Sequence, residues 1–506
     1  MNRTTQNPNL VFSGIPRGVP GRKQGTGPGY ELDQVPNAKW LPAESILQDF
    51  AYQPDRVLLG RLDRHLIGVG DDRHVITVAG SRSGKSVLLA CNLIHYAGSV
   101  LVIDPKGELA GTTARRRAKG LGQKVCVLDP FAKTPDWVTP YRARFNPLSI
   151  LKVDGPTVLE DAGLIADALV VSASNTDPHW DESARMFIEG VILHVLTYGG
   201  YEGIRDLVTV YDLLSKGKDS GEGKGSMEGL VEEMLHNARI LQHDTLAGAI
   251  EAAALDFAER PDREQGSVLS TIRRHIRFLG YQSMQTVLRG HDFDLTELKT
   301  AAGGLTIYLC LPAGRMGTCN RWLRLFVNLA LEAMEREPAK PHPPVLLCLD
   351  EFPILGHMKQ IEDAAGQIAG FGVKLWPVLQ DLNQLKSLYR ERWETFMGNA
   401  GVLQFFGNAD LTTLNYIQKR LGKTALPVQR TTHTAHDMSA TRADNVALHD
   451  LLTGEEASRL FARDDVLKRQ LIIAAGKAPM ILQRVSYFDS NDPSFTSFKG
   501  KYDDLE

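Results

Sequence analysis

The sequence of 506 residues predicts an α/β fold with a mainly parallel sheet and one inserted all-α domain. In the first third of the chain, short apolar runs of strand character alternate with stretches of helical periodicity, which is the rhythm of βαβ units. From about residue 155 to 285 the strand signals nearly vanish and helical periodicity remains. Strand signals then resume, so we expect the second half of the chain to return to the same sheet.

Each predicted strand is a short apolar run that ends in polar or turn-forming residues. These runs are residues 74–79, 99–103, 124–128, 305–311, 345–349, 373–379, 402–406 and 471–475. Helical periodicity covers residues 86–96, 158–171, 183–196 and 230–257. In contrast, the stretch from 424 to 446 is polar and aperiodic, which predicts a mobile loop.

Shifts in composition divide the chain into four units. The first 36 residues are rich in Gly, Pro, Asn and Arg, which is typical of a flexible segment. The predicted units are a flexible N-terminal arm at 1–36, a discontinuous α/β domain at 37–154 and 286–488, the all-α insertion at 155–285, and a C-terminal tail at 489–506.

Composition narrows the classes of function. The net charge is −3, so any contact with DNA must come from a local basic surface and not from bulk charge. The five cysteines form no CxxC pair, and we expect reduced, buried thiols in a cytoplasmic chain. No stretch approaches the ~20 apolar residues of a membrane helix, and the N-terminus lacks the apolar core of a signal peptide.

A phosphate-binding loop is predicted between the first strand and the first long helix. It consists of Ala79, Gly80, Ser81, Arg82, Ser83, Gly84, Lys85 and Ser86, with Ala79 in place of the usual first glycine. The glycines permit a tight turn whose N–H groups point at phosphates. Lys85 is placed to reach the β- and γ-phosphates, and Ser86 to bind Mg²⁺. An ordinary Gly/Ser turn is the alternative, and the position between strand and helix disfavours it.

Two carboxylates follow the buried run 345–349. These are Asp350 and Glu351. In P-loop NTPases the first carboxylate orients the Mg²⁺ shell, and a following glutamate is placed to polarise water for attack on the γ-phosphate. An apolar run that ends in Asp-Glu is also a common strand boundary, but its pairing with the phosphate loop favours a catalytic role.

A polar residue, Gln380, ends the run 373–379. RecA-type motors place a polar side chain at this strand end, where it senses the γ-phosphate. The alternative is a solvated glutamine that opens a helix.

The string Asp-Pro-Lys-Gly-Glu follows the second strand at residues 104–108. Its strand end should lie close to the phosphate loop, so Asp104, Lys106 and Glu108 are weaker candidates for contacts with nucleotide. A salt-bridged turn explains the string equally well.

Several strings together resemble the TraG-like coupling proteins, the DNA-transfer ATPases of bacterial conjugation and type IV secretion. They lie at residues 83–86, 98–108, 125–131, 145–148, 180–185, 349–356, 378–385, 451–456 and 477–480. The similarity runs from about Trp40 to about Phe498. The string at 104–108, at this distance from the phosphate loop, is more diagnostic than the phosphate loop or the Asp-Glu pair alone.

This resemblance implies a RecA-type P-loop NTPase core that binds nucleotide, with the all-α insertion as a substrate-recognition module. It implies a homo-hexameric ring around a channel, with ATP and Mg²⁺ at subunit interfaces; a monomer in the absence of DNA is the alternative. The cargo would be single-stranded DNA with its relaxosome, or a protein effector. The partners would be type IV secretion components at the inner membrane.

The resemblance also implies roles for individual residues. Lys85 and Ser86 correspond to the phosphate and Mg²⁺ contacts. Asp350 corresponds to the carboxylate of the Mg²⁺ shell, Glu351 to the catalytic carboxylate and Gln380 to the sensor.

Two features of the family have no clear counterpart in the sequence. Family members usually begin with a pair of transmembrane helices, which this sequence does not contain, so we expect a cytoplasmic protein whose membrane attachment, if any, is peripheral. Rings of this type use an arginine from the neighbouring subunit, for which Arg315 and Arg420 are candidates.

Three other functions fit parts of the pattern. A DNA translocase of the chromosome-segregation or packaging type would share the motor motifs, but the insertion and the string at 104–108 favour a coupling protein. A nucleotide-binding adaptor that does not hydrolyse would not need both Lys85 and the Asp350–Glu351 pair. A small-molecule P-loop kinase has little room for the insertion and the long C-terminal half.

Overall fold

A computed structural model gives the fold of most of the chain. It describes residues 37–171, 178–219, 225–433, 440–489, 492–496 and 498. The predicted flexible arm at 1–36 lies outside the described residues, as does much of the predicted tail at 489–506.

Within the described residues, eleven strands form one sheet in the order β2-β1-β15-β14-β11-β3-β10-β9-β4-β8-β5. The strands from β11 to β5 in this order are parallel, and β14, β15, β1 and β2 extend the sheet with antiparallel pairing. The strands are β1 (Val57–Leu62), β2 (His65–Val69), β3 (His74–Ala79), β4 (Val100–Asp104), β5 (Lys124–Leu128), β6 (Lys218–Asp219), β7 (Gly225–Ser226), β8 (Leu305–Cys310), β9 (Val345–Leu349), β10 (Val373–Leu379), β11 (Ala400–Phe406), β12 (Lys423–His433), β13 (Ala440–Asp450), β14 (Arg469–Ala474) and β15 (Met480–Gln483).

The eight predicted strands are confirmed, and all of them except β5 and β14 are buried along their whole length. Alternate residues of one strand enter different cores: Ile76 and Val78 pack on one face of the sheet, Val75 and Ala79 on the other. The prediction missed β1, β2 and β15. These strands are short, and glycine or a charged residue interrupts the apolar pattern of β1, so no continuous run marks them.

Helices cover both faces of the parallel strands and fill the segment between β5 and β8. They are α1 (Ala43–Asp49), α2 (Lys85–His95), α3 (Glu108–Arg115), α4 (Val158–Leu169), α5 (Pro178–Thr197), α6 (Leu207–Lys216), α7 (Met227–Ile240), α8 (Asp244–Ala258), α9 (Asp262–Ile276), α10 (Gln282–Leu288), α11 (Glu297–Thr300), α12 (Ala313–Arg336), α13 (Lys359–Gln367), α14 (Leu382–Tyr389), α15 (Trp393–Asn399), α16 (Leu411–Leu421), α17 (Gly454–Leu460) and α18 (Pro493–Thr496). Across the described ranges, none of these helices has the length and apolar character to cross a membrane.

The helical character predicted for the insertion is confirmed, with two differences in detail. The stretch 230–257 is not one helix: α7 ends at Ile240 and α8 begins at Asp244, where the side chain of His243 caps the new helix by accepting from the Leu246 N–H at 3.3 Å. A two-residue strand pair, β6 with β7, also lies within this segment.

The loop predicted at 424–446 is wrong for most of its length. Strands β12 and β13 pair in antiparallel fashion from Lys423–Asp450 to His433–Ala440, forming a long two-stranded ribbon. The sequence of this stretch is polar and aperiodic, so it carries no period-two apolar pattern that would have marked the two strands. The intervening residues 434–439 lie outside the described part of the chain.

A fully buried arginine fixes the far end of α2. Arg117 donates from Nη1 to the carbonyls of Leu93 and Tyr96 at 2.8 and 3.0 Å, and from Nη2 to that of Gly98 at 2.6 Å. Its Nε donates to Thr306 Oγ1 on β8 at 2.5 Å. One guanidinium therefore satisfies the carbonyls at the C-terminus of α2 and ties that helix to the sheet.

We expect Arg117→Met to lower the thermal midpoint of the ligand-free protein by several degrees. Methionine fills a similar volume but leaves three buried carbonyls without their donor, which costs about 3 kcal/mol or more. Circular dichroism on heating measures the midpoint. Lys119→Met, an exposed change in the same turn, is the matched control and should shift it by about 1 °C or less; equal midpoints for both variants would contradict this role of Arg117.

Candidate active site

The carboxyl ends of β3, β4, β9 and β10 surround a cavity of about 660 Å³. Because these strands are parallel, the loops that follow them all meet at one edge of the sheet. Most of the predicted site residues line this cavity, namely Ser81, Arg82, Gly84, Lys85, Ser86, Asp104, Lys106, Glu108, Asp350, Glu351 and Gln380. Three members of the predicted loop do not: Ala79 and Ser83 are buried behind it, and Gly80 packs against another loop.

The phosphate loop has the backbone shape that its sequence requires. Gly84 adopts a left-handed conformation with φ 101°, and α2 begins at the next residue. Leu88 N–H donates to the Gly84 carbonyl at 3.0 Å, so the N–H groups of the preceding helical residues have no intrahelical acceptor. Such a helix start carries partial positive charge and free N–H donors, which suits an anion.

Lys85 folds back over its own loop. Its Nζ donates to the carbonyls of Ala79 at 2.8 Å and Gly80 at 3.0 Å. Burial lowers the pKa of Lys85, while the nearby charges of Glu351 and Asp350 act in the opposite direction. An ammonium group has three donors, so one remains that can turn toward an anion in the cavity.

The two predicted carboxylates lie across the cavity from Lys85. Asp350 is 5% exposed, and burial raises its pKa to about 7, with further contributions from the charges of Glu351 and Asp104. Glu351 stands in a left-handed conformation with φ 53°, which is strained for a residue with a side chain. Its N–H donates to Asp350 Oδ1 at 3.1 Å, so the two acids form one unit.

Gln380 lies between the loop and the acids, because β10 lies between β3 and β9. Its Nε2 donates to both carboxylate oxygens of Glu351, at 3.2 Å each. Its backbone N–H donates to Gln384 Oε1 at 2.9 Å. The helix that follows is capped by Asp381 and not by Gln380, so the glutamine side chain is left to hold the glutamate.

The string at 104–108 forms a turn with a salt bridge, and its three candidate residues also line the cavity. Asp104 is 2% exposed, and its Oδ2 accepts from Ala110 N–H at 2.8 Å, which fixes the start of α3. Burial raises the pKa of Asp104 to about 6, against the effect of the backbone N–H groups that it accepts from. Lys106 and Glu108 form an exposed pair at 3.8 Å that also lines the mouth of the cavity.

Sequence reasoning missed the residues that support the loop from outside. Gly407, directly after β11, is so close to Gly80 that a Cβ on Gly80 would overlap the Gly407 carbonyl oxygen. Arg484, directly after β15, donates to the Ser83 carbonyl at 2.7 Å. A glycine directly after a predicted strand was a weak sign that Gly407 makes a close contact. Nothing in the local sequence marked Arg484.

The two arginine candidates stand apart from the site of their own chain. Among the described residues that line the cavity, neither Arg315 nor Arg420 is present. Arg315 is exposed near the start of α12, with its guanidinium 5.9 Å from the ring centre of Phe131. Arg420 is exposed at the end of α16.

Comparison with known proteins finds a family model and curated relatives that match most of the chain. Residues 30–505 match the family model described as Type IV secretory system Conjugative DNA transfer. The chain is 26% identical over 419 residues to the Conjugal transfer protein TraG of Escherichia coli, an alignment that covers 78% of this chain and 63% of TraG. The chain thus spans about three fifths of the length of the curated relatives that it matches.

Solved structures confirm the predicted RecA-type core with helical insertions. The bacterial conjugative coupling protein TrwBdeltaN70 superimposes with a TM-score of 0.62 at 15% identity, covering 88% of this chain and 92% of that one. The plasmid coupling protein TrwB in complex with ADP and Mg²⁺ gives a TM-score of 0.58 at 15% identity, over 92% and 97% of the two chains. With the family match over nearly its whole length, the chain belongs to the type IV secretory system conjugative DNA-transfer family.

Proposed function

We propose that this protein is an ATP-hydrolysing coupling protein that recruits and pumps single-stranded DNA with its relaxase, or a protein substrate, into a type IV secretion or conjugation channel. The observation that carries the proposal is the meeting of Lys85, the Asp350–Glu351 pair and Gln380 around one cavity at the carboxyl edge of the sheet. The family to which the chain belongs supports the cargo and the partner system.

The nucleotide would bind with its phosphates against the start of α2. Lys85 and the N–H groups of the loop would hold the β- and γ-phosphates. Ser86 and Asp350 would hold Mg²⁺. The grouping of Asp350 with Glu351 and Asp104 fits a cation, because burial and the negative charges of these two neighbours raise the pKa of Asp350 to about 7. TrwB, which shares this fold, has been solved with ADP and Mg²⁺. Mg²⁺, when bound, supplies positive charge that offsets the negative charge of the phosphates.

Hydrolysis would begin at Glu351. Its carboxylate is placed to take a proton from water as the water oxygen attacks the γ-phosphorus and the bond to the β–γ bridging oxygen breaks. Gln380 donates to Glu351 and could instead donate to a γ-phosphate oxygen of a bound nucleotide. This exchange of partners would make Gln380 a sensor that frees Glu351 when triphosphate is present.

The string at 104–108 would act at the edge of the same site. Lys106 is a second cation at the cavity mouth, so it can approach the terminal phosphate. Asp104 would act indirectly, because it fixes the turn that carries Lys106. Glu108 would restrain the Lys106 side chain through their ion pair.

We propose that residues 37–154 and 286–488 form the motor and residues 155–285 the substrate-recognition module. Helix α12 supports a coupling between them. It begins at the cavity, which Ala313 and Met316 line, and ends at Arg336, which pairs with Asp161 on α4 of the insertion. Any displacement of the start of α12 by nucleotide would therefore reach the insertion.

The active form would be a homo-hexamer that docks with type IV secretion components at the inner membrane. A neighbouring subunit would then supply Arg315 or Arg420, neither of which is among the described residues that line the cavity of its own chain.

A DNA translocase of the segregation or packaging type is the second candidate, because it would use the same motor residues. The family match favours the coupling protein. A non-hydrolysing adaptor is disfavoured, because the strained backbone of Glu351 and its two bonds from Gln380 have no use in binding alone.

Two substitutions should separate binding from hydrolysis. We expect Glu351→Gln to keep Mg-ATP affinity within a few-fold of wild type and to lower turnover by about 100-fold or more, because an amide cannot take the proton. Lys85→Ala should lose both turnover and affinity, because the phosphates lose their main cation. Phosphate release and binding of a fluorescent ATP analogue measure the two effects.

Lys359→Ala, on the exposed N-terminus of α13 and away from the cavity lining, is the control and should match wild type. Wild-type turnover by Lys85→Ala would exclude this site. Loss of binding by Glu351→Gln would make that glutamate structural.

The affinity for single-stranded DNA should fall steeply as salt increases. Each phosphate contact releases counterions, and the slope of log affinity against log salt should be about −0.7 per contact. Fluorescence anisotropy of a labelled oligonucleotide between low and physiological salt measures this slope. No binding at low salt, or binding that is independent of salt, would argue for a protein cargo instead.

A further inference from the structure

Arg484 joins the phosphate loop to a part of the chain some 400 residues away in sequence. Its Nη1 donates to the carbonyl of Ser83, inside the loop, at 2.7 Å, across 401 positions of sequence. Its Nη2 donates to the carbonyls of Ala462 and Arg463 at 3.3 and 3.2 Å. Its Nε donates to the Lys468 carbonyl at 3.3 Å. All three guanidinium nitrogens are therefore engaged with backbone.

The guanidinium is held in place by its surroundings. It lies 5.3 Å from the ring centre of Phe406, a fully buried residue at the end of β11. The Arg484 backbone N–H also donates to the Lys468 carbonyl, at 2.7 Å. The Arg484 side chain thus connects the 462–468 loop to the phosphate loop and is held in one position.

The same side of the loop is closed by β11 and its turn. Gly80 N–H donates to the Phe406 carbonyl at 3.1 Å, and Gly407 N–H donates to the Phe461 carbonyl at 2.7 Å. A Cβ on Gly407 would lie 2.6 Å from Ser83 Cβ. On this side, the phosphate loop therefore packs against β11, the 461–468 loop and Arg484.

The hydrogen bond from Arg484 to the Ser83 carbonyl determines the direction of the Gly84 N–H. The C=O and N–H of one trans peptide unit lie in one plane and point in opposite directions. Because the Ser83 carbonyl is turned toward Arg484, the N–H of Gly84 in the same peptide unit is turned the other way. Gly84 lines the cavity and Ser83 does not, which agrees with this orientation.

The geometry points to Arg484 as a positioning residue for the phosphate loop: its guanidinium holds the Ser83 carbonyl away from the cavity and thereby aims the Gly84 N–H at the phosphates of a bound nucleotide. This inference rests on the proposed function, since it requires a phosphate in the cavity. Arg484 itself does not line the cavity, and its donors are bound to carbonyls, so its action passes through Ser83 and Gly84.

Loss of the Arg484 guanidinium should weaken phosphate binding without changing the rate of the chemical step. We expect Arg484→Met to raise the Kd for Mg-ADP, and the KM for ATP, by roughly tenfold or more, because a charge-assisted hydrogen bond is lost and the Gly84 N–H is no longer fixed. The Gly84 N–H contacts the same phosphates before and during reaction, so kcat should change by about twofold or less. Binding is measured with a fluorescent ADP at a temperature where circular dichroism shows each variant folded.

Three further variants make the test specific. Arg463→Ala removes an exposed side chain of the same loop that pairs with Asp464, and it should bind Mg-ADP like wild type. Arg484→Ala should regain affinity when guanidinium ion is added far below denaturing concentration, whereas Na⁺ at equal ionic strength should not restore it. Arg484→Lys should fall between wild type and Arg484→Met, because one ammonium cannot bridge all four carbonyls.

The outcomes separate this inference from the proposed function. If wild type does not bind Mg-ADP, the proposed function is wrong and the role of Arg484 with it. If wild type binds and Arg484→Met binds equally well, the positioning role alone is overturned. A fall in kcat at unchanged KM, or an equal loss in Arg463→Ala without guanidinium rescue, would also overturn it, since both indicate a general structural effect.

Discussion

The order of three parallel strands determines the geometry of the candidate site. Strand β10 lies between β3, which leads into the phosphate loop, and β9, which ends in the acids. The side chain at the end of β10 must therefore stand between Lys85 and Glu351, and Gln380 does so with its Nε2 3.2 Å from each carboxylate oxygen of the glutamate. Parallel pairing is essential, because an antiparallel β10 would carry this residue to the opposite edge of the sheet.

This convergence creates an excess of negative charge that the fold does not neutralise by itself. Asp104, Asp350 and Glu351 lie close enough for their charges to interact. Lys85 donates two of its three N–H hydrogens to carbonyls of its own loop. Burial raises the pKa values of Asp104 and Asp350, which lowers the negative charge that these two carboxyls carry near neutral pH. A cation beside Asp350 would have the opposite effect and lower its pKa, which agrees with the proposal that metal and triphosphate bind here together.

The sequence predicted the parts of the fold that local pattern controls. Strands buried on both faces appear as uninterrupted apolar runs, so β3, β4 and β9 were found within one residue. The ribbon of β12 and β13 was missed because its sequence is polar and aperiodic, and only the structure shows the pairing. In the site, the motifs at 79–86 and 350–351 are local and were recognised. Arg484 was not, because only the tertiary fold brings it to Ser83 across 401 positions.

The phosphate loop is consequently held from two sides by different parts of the chain. The acids and Gln380 face it across the cavity, on the side of the parallel strands that also lead through α12 to the insertion. The turn after β11 and Arg484 support its outer side, where the sheet becomes antiparallel. If nucleotide binds as we propose, support on the outer side of the loop would direct any displacement of the loop toward β9, β10 and α12. The antiparallel part of the sheet, through Arg484 and the turn after β11, would then be the fixed support for that displacement.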